Sequence, residues 1–247
     1  MLNGMIESSR GCLKEEIRMD IISNNLANST VVGFKKSRIA FQQILRQAEQ
    51  IGENMNDRET RPSTHLIDIR TDMSQGDIRS TGNPLDLAIL GKGFFKIMTP
   101  DGIRYTRKGN FTLDPQGNLI TQDGYPVMGK NGPINTNGNE ISFDEQGFLS
   151  LDGTRMDQMD IVDFQDYENL VHEGRSLFTR VSDVSPEESL SPDTRIKQGY
   201  LELSNVNVAE EMVQMIHSLR AFESYQKSIK VLDECNDRAI NQVGRLR

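Results

Sequence analysis

Apolar residues return every seven positions at the start of the chain: Met5, Cys12, Met19 and Leu26, flanked by Ile6, Leu13, Ile17 and Ile22. Glu7, Arg10, Lys14, Glu15 and Arg18 fall on the other side. That pattern predicts an amphipathic helix over about residues 2–26. The end of the chain mirrors it. Val208, Met215, Phe222, Ile229 and Val243 share one seven-residue register, broken at Asn236, and Tyr225, Leu232, Ala239 and Leu246 share another. A straight helix drifts against a strict heptad, so the second register is expected to take over from the first. Asn207 with Glu210 three residues on reads as a capping box. A helix from Val208 to Val243 would be roughly 54 Å long, the length of a coiled-coil strand.

Between the helices the period changes from seven to two. Short alternating runs such as "LDLAIL", "GFFKIM", "NLITQDG" and "DIVDF" are cut by Gly, Pro, Asn and Asp, which predicts antiparallel strands and hairpins. Residues 52–64 and 182–194 are polar and aperiodic and read as a linker and a loop. "DPQGNL" and "DEQGFL", thirty positions apart, repeat the same turn-and-strand pattern, with Asp and Gly supplying the turn chemistry. The expected fold class is α+β: long N- and C-terminal helices pairing as a coiled coil around an inserted antiparallel β-rich domain. The expected division is 1–30 helix, 31–65 connection, 66–200 β domain and 201–247 helix.

The stretch "SNNLANSTVVGFKK" closes the first helix. Asn24, Asn25 and Asn28 are expected to stop it, by tolerating the left-handed conformation or by capping carbonyls. Val31-Val32 would leave as an extended strand and Gly33 would permit a sharp turn. Phe34 would anchor in an apolar pocket, and Lys35-Lys36 would stay solvated or meet acidic neighbours. The two helices are expected to run antiparallel. A register setting Met5 opposite Val243 aligns the two apolar stripes and brings Cys12 within about a residue of Cys235. A disulfide there requires Cα atoms within about 7 Å; otherwise each cysteine is a small apolar filler.

Composition removes several functions. The chain has 247 residues, a net charge of −8 and 36% hydrophobic residues, with a mean hydropathy of −0.53. So polar a chain builds modest cores and leaves apolar surface for other chains. The acid is concentrated between residues 51 and 198, with no basic stripe for nucleic acid. His65, His172 and His217 are isolated and no CxxC exists, so no metal or cofactor is implied. "GKGFF" leads into a strand-like run and reads as a turn, not a phosphate loop. No segment is apolar enough to insert in a membrane, and "MLNGMIESSRGCLKEE" lacks the features of a cleaved secretory signal. No catalytic constellation stands out, and an enzyme would need a pocket that sequence does not show.

Three blocks carry a family resemblance. "MDIISNNLANSTVVGFKKSR", "NPLDLAILGKGFFKIMTPDGIRYTRKGNFTLDPQGNLITQDGYPVMG" and "GYLELSNVNVAEEMVQMIHSLRAFESYQKSIKVLDECNDRA" resemble, in this order, the N-terminal signature, central β region and C-terminal helix of the bacterial flagellar rod and hook family. Within it, the length and "LRAFESYQKSIKVLDE" look most like proximal-rod members, with distal-rod members the alternative. The resemblance implies a structural subunit of the basal-body rod, whose helices pack in the inner tube and whose β domain faces outward. Its partners would be copies of itself, other rod proteins and the flagellar export apparatus, through which it would leave the cell without a cleaved signal. A rod in the oxidising periplasm would permit the disulfide chemically. The candidate assembly residues are Met5, Cys12, Met19 and Leu26; Asn24, Asn25, Asn28, Gly33 and Phe34; and Val208, Met212, Met215, Leu219, Phe222 and Ile229. A reading of another class is a non-flagellar β-domain binding module dimerised by its helices.

Overall fold

A computed structural model describes residues 2–43, 65–136, 141–151, 153–174, 176–180, 187–188 and 194–243. The expected linker at 52–64 and most of the expected loop at 182–194 lie outside these residues. Helix α1 spans Leu2–Ala27 and α2 spans Val208–Val243. The seven-residue pattern therefore gave both helices nearly to their ends. Asn207 caps α2, its Oδ1 accepting from Ala209 N at 3.1 Å and Glu210 N at 3.3 Å. This satisfies two of the amides that a helix start leaves without partners.

The helices lie side by side and antiparallel. On α2 the positions that escape full exposure are Glu211, Met215, Ser218, Phe222, Tyr225, Ile229, Leu232 and Asn236, with Ala221 beside them. Their steps alternate four and three. Between Met215 and Leu232 the two registers read from the sequence are thus the two edges of one seam, Met215, Phe222 and Ile229 on one and Tyr225 and Leu232 on the other. On α1, Glu15, Ile22 and Asn25 are buried, while Met5, Cys12, Met19 and Leu26 are half-buried. Glu15 was expected on the solvated side. It lies on the covered face, where Arg18 reaches it at 3.3 Å.

The register differs from the one that aligns the apolar stripes. A Cβ on Gly4 would lie 3.4 Å from the Leu232 side chain, and one on Gly11 would lie 2.6 Å from the Tyr225 ring. Asn25 Nδ2 donates to Glu211 Oε2 at 3.3 Å. Each of these pairs sums to 236, against the expected 247–248. Met5 Sδ accepts from Asn236 Nδ2 at 3.4 Å rather than facing Val243. Cys12 is therefore level with about Tyr225, some ten residues or about 15 Å along the axis from Cys235, and both thiols are free. The physical reason is polar. Glu15, Asn25, Glu211 and Ser218 are buried between the helices, and a count of apolar positions gives them no weight. Gly11 adds a steric term, since the Tyr225 ring occupies the space of a side chain there.

After α1 the chain forms a hairpin, β1 (Ser37–Gln43) against β2 (His65–Thr71), with Ser37 opposite Thr71. β1 lies inside the segment expected to be a connection. The β domain follows, centred on a mixed-length antiparallel sheet. In spatial order its strands are Leu170–His172, Leu177–Arg180, Gly102–Thr106, Phe94–Thr99, Ile161–Phe164 and Glu187–Glu188. Both faces are covered. Phe95, Ile97 and Ile161 enter one core with Phe111, Leu119 and Leu149. Phe94, Val162 and Phe164 enter a second core with Tyr105, Leu170 and Phe178. Coverage on both sides explains why all four residues of Ile161–Phe164 are buried, since only a one-sided strand alternates cleanly.

The sequence repeat is a structural repeat. Asp114 Oδ1 accepts from the amides of Gln116 (2.9 Å) and Asn118 (2.7 Å), and Asp144 Oδ1 accepts from those of Gln146 (3.0 Å) and Phe148 (2.8 Å). Both turns join short antiparallel strands, Phe111–Leu113 to Leu119–Thr121 and Ile141–Phe143 to Phe148–Leu151. "GKGFF" is a turn into the strand Phe94–Thr99, as expected.

Candidate functional site

The residues of the Asn- and Gly-rich stretch converge where α1 ends, α2 begins and the β domain attaches. The asparagines stop the helix by capping. Asn28 N donates to Asn24 O at 3.1 Å, and Asn28 Nδ2 donates to the same carbonyl at 2.8 Å. The left-handed option is not used: among the described residues, Ser176 is the one non-glycine with positive φ. Asn24 is exposed and Asn25 is buried. Asn25 reaches forward instead, where its Oδ1 accepts from Ser37 N and its Nδ2 donates to Ser37 O, both at 2.9 Å. The helix thus grips the first residue of β1 much as a neighbouring strand would.

Val31-Val32 does not leave as a strand. Phe34 N donates to Val31 O at 3.3 Å, so Val31–Phe34 is a turn, with Gly33 third at φ 67°. Gly33 N donates to Glu202 O at 2.8 Å. A Cβ there would lie 2.5 Å from the Arg107 carbonyl carbon and 2.6 Å from Lys108 N. The left-handed backbone and the close approach both select glycine. Phe34 is buried, as expected, and its ring stands edge-on to His172 with centroids 6.1 Å apart.

Lys35 overturns the solvated alternative. It is 1% exposed, with Nζ donating at 2.6 Å to both Glu202 Oε1 and Ser74 O. Glu202 is also 1% exposed. Its Oε1 accepts from Gly76 N at 2.9 Å, and its Oε2 from Arg107 Nη1 at 3.2 Å. Arg107 Nη2 donates to Gly91 O at 2.8 Å, and the guanidinium lies 5.3 Å from the centre of the Phe94 ring. Burial pushes the Lys35 ammonium below its ordinary pKa, with Glu202 pulling the other way. One carboxylate six residues before α2 therefore holds the exit of α1, the turn at Gly76 and the loop carrying Arg107. Asn205 works beside it: its Oδ1 accepts from Lys36 N at 2.8 Å, and its Nδ2 donates to Asp72 O at 2.8 Å and Ser74 O at 3.1 Å. Glu202, Arg107 and Asn205 were missed in the sequence. Their only signal is a charged or amide residue in otherwise ordinary strand and turn contexts.

The remaining candidates divide into two groups. Met5, Cys12, Met19, Leu26, Met215, Phe222 and Ile229 border the seam between α1 and α2, half-buried. Val208, Met212 and Leu219 point away from it and are exposed. A groove of about 750 Å³ lies beside the junction, lined among others by Arg38, Arg70, Asp72, Asp166 and His172, so cations and carboxylates share it.

His172 gives this region a pH dependence. Its Nε2 is buried without a hydrogen-bond partner, and its ring also packs on Phe178 at 5.3 Å. Burial first, then the nearby charge of Lys108, lowers its pKa from the usual 6.5. A folded pKa below the unfolded one gives stability that is present above about pH 6.5 and is lost as pH falls through the folded value. Thermal melts should therefore fall in Tm on acidification through this range. In His172→Gln the part of that slope due to the imidazole should vanish; an unchanged slope would contradict the assignment.

Two antiparallel helices thus bracket a β domain, and one buried carboxylate ties the exit of the first helix to that domain. Three family profiles match in chain order: the flagella basal body rod protein at residues 11–35, the flagellar hook protein FlgE/F/G D1 domain at 88–151, and the flagellar basal body rod FlgEFG protein C-terminal region at 197–242. The chain is 35% identical to flagellar basal-body rod protein FlgG of Buchnera aphidicola subsp. Schizaphis graminum, over 95% of this chain and 97% of the relative. It is 34% identical to FlgG of Bacillus subtilis, over 98% and 99%. It is 30% identical to flagellar basal-body rod protein FlgF of Caulobacter vibrioides, over 92% of each. The chain belongs to the flagellar basal-body rod protein family.

Proposed function

We propose that this chain is a structural subunit of the basal-body rod, with α1 and α2 acting as a coiled-coil pair that packs against neighbouring subunits and the β domain turned outward. The four-three spacing of the covered positions on α2 supports the coiled-coil reading. The observation that carries the assembly reading is the apolar surface the helix pair leaves uncovered: Ile6, Leu13, Val208, Met212, Ile216 and Leu219 are all between 39% and 55% exposed. A monomer gains nothing from such surface, whereas a polymer buries it. The length of 247 residues and the run from Leu219 to Glu234 favour the proximal rod; the distal rod is the alternative. Its partners are copies of itself and other rod proteins, and it reaches the rod through the flagellar export apparatus.

Basal bodies isolated from cells arrested before distal growth test the placement. A proximal subunit is present in them and a distal one is absent. Seam substitutions test the helix pairing. Phe222→Ala is expected to lower stability by up to about 3 kcal/mol, the half-buried ring placing it at the low end of large-to-small changes, and to reduce motility in swimming assays. Glu223→Ala, exposed on the next position, should stay within about 0.5 kcal/mol with normal swimming. Equal defects would remove the seam assignment.

A further inference from the structure

The two uncovered stripes on the helix pair have matching spacing. On α1, Ile6 and Leu13 are exposed at 41% and 55%, and Ile17 follows one turn on, half-buried. At 100° per residue these three lie on the side of α1 turned away from α2. On α2, Val208, Met212 and Leu219 form a line roughly a quarter-turn from the seam, with Ile216 beside it. From Ile6 the α1 stripe steps seven residues and then four. From Leu219 back towards Val208, the α2 stripe also steps seven and then four.

Laid antiparallel, Ile6 meets Leu219, Leu13 meets Met212 and Ile17 meets Val208, every pair summing to 225. Within the chain the same helices already meet at a sum of 236, as in Gly11–Tyr225 and Asn25–Glu211. One helix pair cannot hold both registers. A contact at the sum of 225 is therefore one between chains.

We propose that the α1 stripe of one copy of this chain seats on the α2 stripe of a second copy, displaced along the helix axis by eleven residues, or about 16 Å. The contact uses different surfaces on the two copies. It is heterologous, does not close on itself, and repeats into an open helical array. This proposal rests on the rod-subunit reading and adds to it the partner surfaces and their stagger.

Paired cysteines test it in a Cys12→Ala, Cys235→Ala background. Leu13→Cys with Met212→Cys samples the sum of 225. Leu13→Cys with Glu223→Cys tests the sum of 236 between copies on the same outward faces, again between exposed positions. Ile6→Cys with Leu219→Cys repeats the first register independently, in case one variant fails to fold. Basal bodies are isolated, oxidised mildly and run on non-reducing gels, with incorporation of the chain measured by mass spectrometry. The expected result is a ladder of disulfide-linked multimers from both 225 pairs and none from the 236 pair. Incorporated chains that give no ladder, or equal ladders from all pairs, would overturn the stagger and leave the rod-subunit reading standing. Absence of the wild-type chain from basal bodies would overturn both.

Discussion

Glu202→Ala is expected to lower the unfolding free energy by about 3–5 kcal/mol, the usual cost of removing one partner from a buried ion pair. The side chain is 1% exposed and its two oxygens receive Lys35, Arg107 and the amide of Gly76. Without it, two buried cations lose the carboxylate between them, and Lys35 is left with its hydrogen bond to the Ser74 carbonyl and the more distant charge of Asp72. Glu202→Gln should recover little, because it restores size and hydrogen bonding but not charge. Urea unfolding followed by circular dichroism measures the loss. A change below about 1 kcal/mol, the range of an exposed pair, would mean that the three groups are not the clamp described here. Exposed Arg38→Ala, in the neighbouring hairpin, should stay within about 0.5 kcal/mol.

Phe34→Ala is expected to cost about 3–5 kcal/mol, the range for emptying a buried phenylalanine site. Phe34 is 3% exposed, set between the turn at Gly33 and the ring of His172. Its removal empties the apolar contact between the exit of α1 and the β domain and leaves the polar ties of Gly33, Lys35 and Lys36 in place. Two consequences separate it from a general loss of packing. The Tm should fall, and the acid sensitivity assigned to His172 should weaken, because a cavity beside the imidazole admits water to its buried nitrogen. A fall in Tm with an unchanged pH slope would contradict the Phe34–His172 contact as the source of that sensitivity.

The elements of this fold were legible in the sequence wherever one face is apolar and the other is not. Seven-residue spacing located α1 and α2, and two-residue alternation with Gly and Asp turns located the paired hairpins at Asp114 and Asp144. The register of the helices was not legible, because it is fixed by groups that an apolar count ignores. Asn25 finds Glu211 across 186 positions of chain, and Gly11 is distinguished only by the Tyr225 ring that lies on it. The junction was half legible. Gly33 and Phe34 announce a turn and an anchor through their own chemistry. Lys35 looks like any surface lysine until Glu202, 167 positions away, comes into place. The apolar stripe read on α1 was also two stripes: Met5, Cys12 and Met19 face α2, while Ile6 and Leu13 face outward. A heptad reading merges such faces, because each recurs at the same interval.

The central claim is that the paired terminal helices build the rod while the β domain stands outside it. Electron cryomicroscopy of basal bodies isolated with this subunit in place tests that most directly. The reconstruction is expected to show α1 and α2 of each subunit antiparallel in the inner tube, Ile6, Leu13, Met212 and Leu219 covered by neighbouring chains, and the β domain outward with Gly33–Lys35 held against Glu202. Helices that touch no neighbouring chain, or β domains lining the inside of the tube, would contradict the account.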